Sequence, residues 1–133
     1  MKKYLLDTNI CIYIIKEKPY TVIKQLKSKN ISDIAISSIT LAELEYGVEH
    51  SSKPLQNRIA LSQFLAPIDV ISFDGMSAYE YGRIRNDLQK KGSIIGPLDL
   101  FIAAHAVSLN RILVSNNIKE FQRVDGLKIE NWV

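Results

Sequence analysis

The chain is poor in cysteine: Cys11 stands alone among 133 residues. An intrachain disulfide is therefore excluded, and a reducing compartment is the simpler setting. Histidine is scarce as well, with only His50 and His105. Neither falls at metal-ligand spacing, which disfavours a zinc site. No apolar run is long enough to span a bilayer. The start, Met1-Lys2-Lys3 before Tyr4-Leu5-Leu6, faintly imitates a secretory signal, but Asp7 and Asn9 interrupt the apolar run and no small-residue cleavage site follows. The chain is expected to be cytoplasmic and complete, with no membrane contact. Neither sign of charge dominates. Seventeen Lys plus Arg against fourteen Asp plus Glu leave +3, which suits an anionic partner but equally a solvated surface. Repeats, low-complexity tracts and long linkers are also missing, so one domain over residues 1–133 is expected.

What is present is a regular alternation. At 47% hydrophobic residues the chain can bury one substantial core. Short apolar runs rich in β-branched residues read as buried strands at Tyr4–Leu6, Ile34–Ile36, Val70–Phe73 and Arg111–Val114, with a weaker one at Leu127–Ile129. Longer stretches read as helices: Ile10–Ile15, Tyr20–Lys29, Ile39–Glu49, Pro54 to the residues before Pro67, Ala78–Lys91 and Leu98–Leu109. Gly92 ends one of them, and Pro54 and Pro97 suit first helical positions. Strands separated by helices predict an α/β fold, a central parallel β-sheet flanked by helices on both faces. Ligands in such sheets bind beyond the carboxyl ends of the strands.

That rule directs attention to three acids. Asp7 closes the first strand in Leu5-Leu6-Asp7-Thr8-Asn9; it also suits a helix N-cap. Glu43 lies one turn into the helix after the second strand, and Thr40-x-x-Glu43 has capping-box spacing. Asp99, in Gly96-Pro97-Leu98-Asp99-Leu100, sits where a negative charge favours the helix dipole. Each has an ordinary structural reading by itself. Together, from segments far apart in the chain, they all fall at one edge of the predicted sheet. Three anions brought close repel one another unless a cation neutralises them. Oxygen ligands alone select a hard ion, Mg²⁺ or Mn²⁺. Such a site is suited to phosphodiester hydrolysis without a covalent nucleophile.

After the fourth strand comes Val114-Ser115-Asn116-Asn117-Ile118-Lys119-Glu120-Phe121, which reaches the same edge. Ser115 and Asn117 are candidates to hold water or a phosphate oxygen, and Glu120 is a candidate fourth carboxylate. A turn followed by a short surface helix is the plainer alternative. Thr8 and Asn9 either orient the site or satisfy the local turn. Gly47 lowers helix stability, which suggests another backbone close by. Arg83, Arg85, Lys90 and Lys91 read as a solvated face, with Arg85 a candidate for phosphate or an acidic partner. His105 does not share a helix face with Asp99 and reads as structural.

These stretches resemble the PIN-domain ribonucleases, in particular VapC-type toxins of bacterial toxin–antitoxin pairs. The likeness lies in Leu5-Leu6-Asp7-Thr8-Asn9, in Ser38-Ile39-Thr40-Leu41-Ala42-Glu43-Leu44 with Gly47, and in Ile95-Gly96-Pro97-Leu98-Asp99 with Ile102-Ala103-Ala104-His105-Ala106. It continues through Ser115-Asn116-Asn117 with Glu120-Phe121 and the closing Ile129-Glu130-Asn131-Trp132-Val133. The resemblance implies a Mg²⁺- or Mn²⁺-dependent endoribonuclease, with Asp7, Glu43 and Asp99 on the metal and Asn117 or Glu120 the candidates to complete the catalytic set. It further implies a VapB-type antitoxin, a homodimer, operator DNA bound only through the antitoxin, and RNA as substrate, with initiator tRNA cut in the anticodon loop the specific expectation. Many members carry Asp near Asn117; its carboxamide brings no charge, so one metal is expected rather than two. A PIN fold serving only as a binding module is the alternative. A receiver domain would need an acidic pair after the first strand, and a haloacid-dehalogenase phosphatase would need Asp-x-Asp there; Asp7-Thr8-Asn9 supplies neither.

Overall fold

The computed structural model describes residues 2–133. Five parallel strands form one sheet: β1 (Tyr4–Leu6), β2 (Ile34–Ser37), β3 (Asp69–Ile71), β4 (Ile112–Val114) and β5 (Ile129–Glu130), in spatial order β3-β2-β1-β4-β5. Helices α1 (Thr8–Lys16) and α2 (Tyr20–Lys27) connect β1 to β2. Helices α3 (Ser38–His50) and α4 (Pro54–Leu65) connect β2 to β3, and α5 (Gly75–Lys90) and α6 (Pro97–Leu109) lead to β4. The short α7 (Ile118–Phe121) precedes β5. The parallel α/β fold expected from the sequence is the fold observed. No described helix is long and apolar enough to cross a membrane.

Alternation along each strand divides the core. Tyr4, Leu6, Ile34, Ile36 and Val114 face one cluster, which takes in Ile10 and Cys11 of α1, Val22 of α2, Leu44 and Val48 of α3, and Leu61 of α4. Leu5, Ala35 and Leu113 face the other, packed on Ile84 and Leu88 of α5, Ile102 and Ala103 of α6, and Phe121 of α7. Near-continuous apolar strands are what a sheet covered on both faces requires. Trp132 closes the first cluster, meeting the Tyr4 ring edge-on at 5.5 Å and donating its indole N–H to Glu130 at 2.8 Å.

Several boundaries differ from expectation for identifiable reasons. Helix α3 starts at Ser38 because Ser37 caps it, accepting the Ile39 N–H at 3.0 Å. The Thr40–Glu43 capping box therefore does not form; the buried Thr40 hydroxyl has no partner among the described residues. Helix α5 starts at Gly75, earlier than the apolar spacing suggested, because Asp74 accepts the Ser77 N–H at 3.0 Å. Helix α2 stops at Lys27, where a tight turn through Ser28 leads to a 3₁₀ turn at Ile31–Asp33. The last strand is displaced to Ile129–Glu130 by its pairing with Leu113 and Val114. Gly47 has open space where a Cβ would stand, so no backbone approaches it.

The strand order positions the site. The chain steps outward from β1 through β2 to β3, then returns to add β4 on the other side of β1. The crevice where the order reverses lies beyond the carboxyl ends of β1 and β4. Asp7 follows β1 and Ser115 follows β4. The amino end of α6, which carries Asp99, reaches the same edge because α6 runs antiparallel to the β4 strand it feeds.

Candidate active site

Asp7 is both the cap of α1 and the floor of the crevice. Its Oδ1 accepts the Thr8 N–H at 2.8 Å, and its Oδ2 accepts the Ser115 hydroxyl at 2.8 Å. The cap reading and the site reading are thus compatible: one carboxylate does both. Burial pushes the Asp7 carboxyl above its ordinary range; the Ser115 and Thr8 hydrogen bonds oppose that shift, and the charges of Glu43 and Glu120 add to it.

Thr8 links the next acid. Its hydroxyl donates to Glu43 Oε1 at 2.7 Å, tying α3 to the start of α1. Residues adjacent in sequence, Asp7 and Thr8, thereby gather two carboxylates from different crossovers. Ser115 does the corresponding job on the other side, since its Oγ also accepts the Asn117 N–H at 3.0 Å.

Asp99 sits in the first turn of α6, with Pro97 opening the helix. Its carboxyl is pushed up to about 6, first by burial and then by the negative charges of Asp7, Glu120 and Glu43. Asn117 Nδ2 donates to Glu120 Oε2 at 2.7 Å and, more weakly, to Asp99 Oδ2 at 3.4 Å. Glu120 Oε1 also accepts the Gly96 N–H at 2.6 Å. The Gly96 amide first, then Asn117, hold the Glu120 carboxyl below its ordinary value. Gly96 lies against this pair: a Cβ there would be in ordinary contact with Glu120 Oε1 at 3.5 Å and Asp99 Oδ2 at 3.7 Å.

All five sequence-nominated residues, Asp7, Glu43, Asp99, Asn117 and Glu120, therefore border one crevice. Two roles differ from expectation. Asn117 turns its amide nitrogen, not its carbonyl, to the acids, because two carboxylates attract the NH₂ end. Ser115 supports Asp7 directly. The Gly96–Glu120 bond carries no signal in the sequence, because it depends on how α7 docks against the loop before α6. The other polar candidates lie in ordinary structure. His105 is buried, with Nδ1 2.8 Å from Ser37 Oγ. Arg83 pairs with Glu80, Arg85 lies against Tyr81, and Lys91 bridges Asp87 and Asp125.

Whether these acids suit a divalent ion is a question of donor chemistry and spacing. The donors are hard carboxylate oxygens, and the raised Asp99 carboxyl registers the repulsion that a cation would relieve. Among the described residues, no three acid, His or Cys side chains are close enough to wrap one ion directly. Carboxylate donors of this kind suit an ion such as Mg²⁺, which keeps several waters and takes one or two carboxylates directly.

Known proteins share both pattern and geometry. Residues 4–127 match the PIN domain family. Ribonuclease VapC2 of Rickettsia felis is 49% identical over 131 residues, covering 97% of each chain. The tRNA(fMet)-specific endonuclease VapC of Shigella flexneri is 45% identical over 132 residues, covering 99% of each. Among solved structures, DNA-bound VapBC from Salmonella typhimurium superposes with a TM-score of 0.94 at 42% identity over the whole of both chains. VapBC2 from Rickettsia felis, bound to a DNA fragment from their promoter, gives 0.91 at 46% identity over 98% of each. With the acidic crevice at the β1/β4 switch point and this likeness along nearly the full length, the chain belongs to the PIN-domain family, within its VapC branch.

Proposed function

We propose that this protein is the toxin of a type II toxin–antitoxin pair, an endoribonuclease that hydrolyses RNA phosphodiester bonds with the help of a divalent ion. The observation that carries the reading is the convergence of Asp7, Glu43, Asp99 and Glu120 on one crevice, close enough that the charges of the other three raise the Asp99 carboxyl. A purely binding role for the fold would not require Asp99 to be placed where the charges of Asp7, Glu120 and Glu43 oppose its ionisation. The likeness to VapC ribonucleases supports the same activity.

Asp7 and Asp99 are the residues that would hold Mg²⁺ or Mn²⁺, with Glu43 reaching it directly or through water. When bound, the ion promotes attack by water and neutralises charge on the phosphate. The chain's own contribution is orientation. The Thr8 N–H and the Ser115 hydroxyl fix both oxygens of Asp7, and the Thr8 hydroxyl fixes Glu43. The Gly96 N–H and Asn117 fix Glu120 beside Asp99. Side chains held this way need little reorganisation when substrate arrives.

A VapB-type antitoxin is the partner this reading implies, supported by the VapBC complexes among the solved relatives. Operator DNA would be met through that antitoxin, and the toxin would act as a homodimer. The Shigella and Salmonella relatives named as tRNA(fMet)-specific endonucleases support initiator tRNA as substrate; a cut in its anticodon loop is the finer form of this proposal. The test is purified protein with initiator tRNA, with and without Mg²⁺ or Mn²⁺. Metal-dependent cleavage lost in folded Asp7→Asn and Asp99→Asn is the expected result. Equal cleavage by both variants would refute it.

A further inference from the structure

Beside the acids opens a cavity of about 650 Å³, bordered by Thr8, Asn9, Glu43, Tyr46, Leu98 and Phe101. Thr8 and Glu43 belong to both the cavity and the acidic crevice, and Leu98 is the chain neighbour of Asp99, so the two are continuous. The walls are mostly apolar and partly aromatic. Tyr46 is 66% exposed, with one ring face stacked on His50 at 5.4 Å. Phe101 is fixed in place, stacked on Tyr81 at 4.4 Å and met edge-on by Phe73 at 5.5 Å. Leu98 is also exposed. An open apolar pocket joined to a reactive centre is a place for a ligand.

The chemistry of the walls limits the ligand. No lysine or arginine borders the cavity, and Glu43 stands at its edge, so an anionic group has no reason to enter. A flat, neutral, π-faced group does. The exposed Asn9 carboxamide offers a donor and an acceptor at the rim, able to meet the edge of such a ring. The bases of single-stranded RNA have these properties and stack on aromatic side chains in this way.

We propose that this cavity receives one unpaired nucleobase next to the scissile phosphate, with Tyr46 as its stacking platform and Asn9 at its polar edge. The inference rests on the nuclease reading above and adds to it a positioning device: the base anchors the strand, and the neighbouring phosphate is delivered to the crevice. Cutting next to an unstacked base, rather than inside a duplex, follows directly.

The test uses a short fluorescein-labelled single-stranded RNA and a series of the same strand with one abasic residue moved along it. Binding is read by anisotropy in the Asp99→Asn background, which keeps the strand intact; cleavage is read separately with Asp99 restored. Tyr46→Ala should weaken binding about tenfold, and Tyr46→Phe, which keeps the ring, should rescue it. One abasic position should cause the same loss alone and no further loss combined with Tyr46→Ala. Wild-type affinity for Tyr46→Ala, or losses that add at every abasic position, would overturn the proposal. So would a flat abasic scan together with a dimer-to-monomer change in Tyr46→Ala by sedimentation, which would make this face a contact between copies. If the pattern holds but no RNA is cut, the nuclease reading falls and the base pocket stands. If RNA is cut and the pattern is absent, the pocket alone falls.

Discussion

Replacing Asp99 by Asn should stabilise the metal-free protein at neutral pH. In the folded chain the Asp99 carboxyl lies at about 6 against an ordinary 3.8. A group whose folded pKa is raised favours folding while protonated; that contribution is complete below the unfolded pKa and disappears as pH rises through the folded one. Above pH 6 the ionised Asp99 is therefore a liability. Two pKa units correspond to about 3 kcal/mol as a ceiling. Asp99 is only partly buried, so solvent screening reduces this to roughly 1.5 kcal/mol. Its favourable place in the first turn of α6 returns about 0.5 kcal/mol, leaving a net gain near 1 kcal/mol for Asn. For a chain of this size that is a rise of about 3–5 °C in melting temperature. The assay is thermal unfolding by circular dichroism in EDTA across a pH series. The variant should melt higher at pH 8, and the two curves should converge toward pH 4. Adding Mn²⁺ should raise the wild type more than the variant, because a ligand bound only by the folded state stabilises it in proportion to its affinity. A variant that melts below the wild type in EDTA at pH 8 would refute the reasoning and make Asp99 a structural charge.

Other contacts carry predictions of their own. Thr8→Val removes the hydroxyl that holds Glu43; RNA cleavage should fall about tenfold or more, while urea unfolding shifts little. Ser115→Ala leaves Asp7 Oδ2 and the Asn117 N–H without their shared partner; urea denaturation should show a loss of about 1–3 kcal/mol. Trp132→Ala opens a void beneath Tyr4 and should cost about 3–5 kcal/mol by the same measurement. Gly96→Val brings its γ-methyl groups beyond the Cβ contact with Glu120 and Asp99 and should lower cleavage with the far-ultraviolet spectrum unchanged, whereas Gly96→Ala, whose Cβ meets both at ordinary contact distance, should keep it.

The strand-and-helix alternation was readable because the central strands β1, β2 and β4 are largely buried, so each appears as an apolar run, whereas the edge strands β3 and β5 are exposed or half-buried and their bounds were less legible. Asp7, Glu43 and Asp99 stood out because they interrupt or flank such runs. Helix starts were less readable. Ser37 and Asp74 cap α3 and α5 through single hydrogen bonds, and a serine or aspartate before a helix looks the same whether or not it bonds. Tyr46 lies three residues after Glu43, on the same helix face; that spacing could have tied it to the site. Its exposure, which makes it worth attention, is a property of the folded surface.

The amino-acid sequence by itself determined a parallel α/β fold and the acids at its strand ends, because burial periodicity and turn chemistry are local. The strand order decided the rest. Only when β4 returns to lie against β1 does Ser115 meet Asp7, and only the docking of α7 brings Glu120 to the Gly96 amide. These contacts join residues distant along the chain, and their energies depend on distance and desolvation in space, which no local pattern encodes.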